Sequence, residues 1–146
     1  MPLITRVYIR TALIAMLVGL ACSAMLLANQ AFHLNDVLWI LQPACYHLLT
    51  IGWLTQLIAG VAIWLFPPHS RELPHGDPRL TWSAYVALNL GLLLRIVAEP
   101  LHTWHPSNLL AYILVASGLL QMMAIWLIVL ALWPRVRGRA NRSVES

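Results

Sequence analysis

Charge is what this sequence has least of. Only 10% of its 146 residues are Asp, Glu, Lys or Arg, where a soluble domain carries about a quarter. Lysine is absent, and all nine basic residues are arginine. The five acidic residues, Asp36, Glu72, Asp77, Glu99 and Glu145, are scattered. No phosphate loop, nucleophile elbow or carboxylate pair is present, so nothing supports a soluble-type enzyme. No internal repeat is visible, and no compact metal motif. Cysteine occurs twice, at Cys22 and Cys45, each inside an apolar run. Such thiols read as small hydrophobes and not as a disulfide framework.

What fills the space is hydrophobic. Apolar residues make up 60% of the chain and the mean hydropathy is +0.75. The expected solvent is lipid, and the expected form is one all-α unit, a four-transmembrane-helix bundle. The net charge of +4 is not a nucleic-acid signal. The arginines sit mainly in loops and tails, with no basic face.

The first span is expected over residues 11–28, after Arg6 and Arg10. It is read as retained: the run is long for a signal peptide, and Ala28-Asn29-Gln30-Ala31 is a poor cleavage site. The second apolar run, Val37 to Phe66, would make about 45 Å of helix, more than the roughly 30 Å of a bilayer core. Pro43 suits a first helical turn, where its missing N–H costs nothing. The second span is therefore placed at 43–66, stopped by Pro67-Pro68, with Val37 to Gln42 interfacial. The third is placed at 79–99, stopped by Pro100. The fourth is placed at 107–133, with Ser107 as N-cap and Pro134 as stop. Residues 1–134 then form one membrane domain, and 135–146 a basic cytoplasmic tail.

Arginine sets the orientation. Arg6, Arg10, Arg71, Arg79, Arg135, Arg137, Arg139 and Arg142 share one side, and the other side's loops have none. The positive-inside rule makes this N-in/C-in. Trp39, Tyr46 and Trp104 mark the outer interface; Tyr8, Trp64, Trp82 and Trp133 the inner one. Trp53 and Trp126 lie deeper and read as packing residues. Small and amide residues form stripes: Ala12, Ala15, Gly19, Ser23 and Gln30; Cys45, Gly52, Gln56, Ala59 and Gly60; Ser117, Gly118 and Gln121. Such stripes let helices approach closely in lipid.

An ionisable group within a membrane is a candidate for function. Three qualify: His47, Arg95 and Glu99. His47 lies about 6 Å inside Pro43 and Arg95 about 7–8 Å inside Pro100, at 1.5 Å per residue. Glu99 falls at the rim. Arg95 and Glu99 are i,i+4 and can pair. The guanidinium also suits a carboxylate or a haem propionate. His33, His102 and His105 lie in the outer loops. A metal at His47 would draw on His102 and His105. Cys45 cannot join it, because two residues place it 200° around a regular helix.

The segment His47-Leu48-Leu49-Thr50-Ile51-Gly52-Trp53-Leu54-Thr55-Gln56, continuing to Trp64-Leu65-Phe66-Pro67, resembles the second membrane helix of haem–copper (cytochrome c) oxidase subunit I. Asn89-Leu90-Gly91-Leu92-Leu93-Leu94-Arg95 with Glu99-Pro100 adds to the likeness, which covers the middle two spans. The chain looks like a group of short, four-span, subunit-I-like membrane proteins. The resemblance implies a haem ligated by His47, in respiratory or nitrogen-oxide redox chemistry; if one binds, the guanidinium chemistry of Arg95 suits it to a propionate. A full subunit I has about three times as many spans, and its copper histidines have no counterpart here, so oxygen reduction by this chain alone is not implied. The alternative is a non-catalytic accessory or scaffold subunit, with other membrane subunits or a second copy as partner. The expected location is a bacterial or archaeal cell membrane.

Single cysteines substituted at His33, Arg71, His102 and Arg137 should separate by side. An impermeant thiol reagent on intact cells should label positions 33 and 102 only. Labelling at 71 but not at 102 would invert the topology.

Overall fold

The structure, a computed structural model, describes residues 1–66 and 77–136. The Pro67-Pro68 stop, the loop bearing Arg71 and the tail from Arg137 onward lie outside the described residues. Every described element is helical: α1 (Leu3–Phe32), a 3-10 segment (Asp36–Leu41), α2 (Gln42–His47), a π segment (Leu48–Thr55), α3 (Gln56–Leu65), α4 (Pro78–Trp104) and α5 (Asn108–Val136). Together they give four helices long and apolar enough to cross a membrane: Leu3–Phe32, Asp36–Leu65, Pro78–Trp104 and Asn108–Val136.

Local chemistry sets the ends. Asn35 caps the 3-10 segment by accepting from the Val37 N–H at 2.9 Å, and Pro43 occupies the first turn of α2. Asp77 caps α4 by accepting from the Arg79 N–H at 2.8 Å, with Pro78 in the first turn. Ser107 caps α5 through the Leu110 N–H at 3.3 Å. α1 ends at His33, whose φ of 51° turns the chain and sends its N–H back to the Asn29 carbonyl at 2.9 Å. The buried Asn29 side chain then accepts from the Asn35 N–H at 2.7 Å, folding the following loop back onto α1.

The helices outrun the apolar stretches. α4 continues through Pro100 to Trp104 instead of stopping at Glu99, and α5 passes Pro134 to Val136. Each proline removes one N–H, but the ladder resumes beyond it. After Pro100, the His105 N–H closes on the Leu101 carbonyl at 2.7 Å, and the Thr103 hydroxyl adds a side-chain bond to the Glu99 carbonyl at 3.0 Å. Glu99 is therefore more than a turn inside the helix end and not at its rim.

α1 packs along the second membrane helix, and α4 along α5. The second helix and α4 join the two hairpins. Ile4, Tyr8, Ala59, Ile63, Ala84, Leu88, Ala124 and Ile128 share the core at the end that holds the N-terminus. Tyr8 belongs to this core. It is fully buried, donates to the Thr81 carbonyl at 3.2 Å and meets Tyr85 edge-on at 5.1 Å between centroids. Trp126 is no packing residue, being 63% exposed on the lipid side of α5. Arg135 is folded back into the structure. Its Nη1 donates to the Ile63 carbonyl at 2.9 Å and its Nη2 to the Phe66 carbonyl, so it caps the end of α3. A cation on terminal carbonyls is favoured there.

The close-approach stripe of the second helix is buried throughout: Cys45, Gly52, Gln56, Ala59 and Gly60. Gln56 donates to the Thr11 hydroxyl, tying the second helix to α1. Gln30 departs from its stripe and is exposed near the C-terminal end of α1. A Cβ on Gly52 would stand 2.9 Å from Ala15 Cβ and 2.9 Å from Leu92 Cδ2, while Leu54 is half exposed. Gly52→Leu should therefore cost about 1–3 kcal/mol by overpacking. Leu54→Ala should fall within about 0.5 kcal/mol of wild type. Thermal melts in one detergent check this; equal stability would remove the close approach.

Candidate functional site

His47 ends α2, immediately before the π segment, and Arg95 and Glu99 lie one turn apart on α4. The contact between α2 and α4 brings all three together. Arg95 Nε donates to His47 Nε2 at 2.8 Å. Glu99 Oε1 stands 3.6 Å from Arg95 Nη2, and Glu99 Oε2 stands 3.6 Å from His47 Nε2. Side-chain exposure is 25%, 28% and 20% for His47, Arg95 and Glu99. The cluster is sheltered without being sealed.

The protons follow from the donors. A guanidinium has no acceptor, so His47 Nε2 must accept, and the imidazole is neutral with its hydrogen on Nδ1. Nε2 then has no hydrogen to offer Glu99. This explains why Glu99 Oε2 is buried without a hydrogen-bond partner. At 3.6 Å the Arg95–Glu99 contact is a Coulombic pair and not a hydrogen bond. Beside Arg95, α5 presents Gly118. A Cβ there would stand in ordinary van der Waals contact with Arg95 Nη1 at 3.9 Å, so Gly118 lies against the guanidinium.

The other sequence candidates divide. His102 lies on the Arg95–Glu99 face of α4, three residues beyond Glu99, and its Nδ1 is buried without a partner. His105 is exposed, its ring stacked near Trp104 at 6.2 Å. Among the described residues no three His, Cys, Asp or Glu side chains converge to hold a metal ion. His47, His102 and His105 do not assemble as such a set.

The cysteines require a correction. Cys22 of α1 and Cys45 of α2 form a disulfide, with Cα atoms 5.9 Å apart. Reading them as separate small hydrophobes missed that their stripes face each other. Ala15, Gly19 and Cys22 follow i, i+4, i+7 on α1, and Cys45 heads the stripe of the second helix. That juxtaposition is the signal that could have found the bond. The π segment had no signal, since its composition suits any apolar helix. π turns interrupt helices frequently at functional sites.

Comparison with family models, with curated proteins and with solved structures finds no match.

Arg95→Gln should destabilise the bundle by about 1–3 kcal/mol, because it leaves a sheltered carboxylate without its cation. Arg95→Gln with Glu99→Gln together should recover part of that loss. Thermal melts of the single and double variants give the coupling; strict additivity would mean the pair contributes nothing.

Proposed function

We propose that this chain is an integral membrane protein that binds haem at the His47–Arg95–Glu99 cluster, in a bacterial or archaeal cell membrane, N-in/C-in. The observation that carries the reading is the meeting of His47 and Arg95. They lie 48 residues apart, on two helices, yet touch at 2.8 Å. The resemblance to oxidase subunit I assigns His47 to a haem iron, and the chemistry of its guanidinium suits Arg95 to a haem propionate. The donor chemistry fits the group. Nε2 of a neutral imidazole is the atom that iron takes, and a guanidinium is the cation for a carboxylate.

In the structure His47 Nε2 is engaged by Arg95, so ligation requires the guanidinium to turn away. Glu99 restrains Arg95 by charge, and the Cys22–Cys45 bond restrains α2. A bound haem would supply one-electron transfer. Two features support the orientation. The arginine asymmetry puts the N-terminus inside. The disulfide lies toward the opposite end, and disulfides persist on the oxidising side of a membrane.

A second reading is a non-catalytic accessory subunit. It is favoured by the same 2.8 Å contact, which satisfies His47 without any cofactor.

Haem content and absorption spectra separate the two. Protein expressed with ample haem should show a Soret band. His47→Ala should abolish or shift it through loss of an axial ligand. Arg95→Gln should leave its position similar but weaken haem retention. Wild-type protein that stays colourless under those conditions overturns the haem reading and leaves the accessory one.

A further inference from the structure

α2 is six residues long, with a 3-10 segment before it and a π segment after it. Neither neighbour continues its α-helical register. Cross-links to the flanking helices hold it in place. Cys45 is joined covalently to Cys22 of α1. Two residues further on, His47 reaches the other way, to Arg95 of α4. A spacing of two residues puts side chains on opposite sides of a helix, so α2 is a crossbar with one link at each side. Cys45 is fully buried, and the bond sits in the same half of the bundle as the ionic cluster.

We infer that the Cys22–Cys45 disulfide is a positioning element for His47: its thiol–disulfide state sets whether Nε2 meets Arg95. With the bond formed, α2 is fixed against α1 and the imidazole is presented to α4. Reduction by a phosphine with water gives two thiols and the phosphine oxide, and releases α2 from α1. The imidazole then loses its alignment with the guanidinium. The inference rests on the His47–Arg95 contact and not on a cofactor, so it stands or falls apart from the haem reading.

The test is the rate at which diethyl pyrocarbonate modifies each histidine of the detergent-solubilised full chain, read by peptide mass spectrometry. The reagent attacks a free imidazole nitrogen, and Arg95 shields Nε2. Cys22→Ser with Cys45→Ser, or reduction of the wild type with a permeant phosphine, should raise the rate at His47 by about fivefold, the factor one ordinary hydrogen bond is worth. The exposed His105 should not change. In an Arg95→Gln background the His47 rate should already be high, and reduction should add nothing. That lack of further increase separates positioning from general loosening. An unchanged His47 rate after reduction overturns the inference. So does an equal rise at His105, or a purified, air-oxidised wild type whose Cys22 and Cys45 peptides are not cross-linked.

Discussion

A charged group in hydrocarbon must find its partners within the protein, because lipid offers none. Arg95 is where that constraint acts on this chain. Its Nε–H is satisfied by His47 from another helix and its charge by Glu99 from its own. The requirement fixes the rotation of α4, since Arg95 and Glu99 must both face α2. It fixes the height of α2, since Nε2 must come within hydrogen-bonding reach. The same constraint acts on Gln56, which reaches the Thr11 hydroxyl. Apolar packing then fills in around these points, and glycine at positions 19, 52, 60 and 91 lets the backbones approach.

The two halves of the bundle are built differently. At the N-terminal end, Tyr8, Tyr85 and Trp82 meet edge-on among aliphatic side chains. This is ordinary packing. At the other end the interior is held by a disulfide and an ionic cluster, and the helix between them is irregular. Rigidity there comes from discrete links, whose chemistry can change. That contrast makes the cluster end the place to look for activity.

The four helices were legible because their length and hydropathy leave no other solution. The stripe from Cys45 to Gly60 was legible because small residues have one use in a lipid environment. The helix ends were less so. Proline reads as a stop, yet Pro100 and Pro134 lie inside helices that close their last turns beyond them. Arg135 was counted as a tail charge, because sequence spacing cannot show that it reaches carbonyls of another helix. His47, Arg95 and Glu99 were identifiable singly as charges out of place. Their common contact depends on how α2 is set against α4, through a π segment that composition does not betray. The disulfide escaped for a related reason: two cysteines 23 residues apart meet only once the faces of two helices are known.

The contact of Arg135 with the end of α3 has a consequence for biosynthesis. The chain emerges from its N-terminus, and α3 exposes its last carbonyls long before residue 135 has been made. Those carbonyls must rely on water or headgroups in the interval. Only when α5 is complete can the guanidinium arrive and displace them. The end of the bundle that begins first is thus closed last, by almost the final residue of the last helix, and a chain cut short before it would leave that seam open.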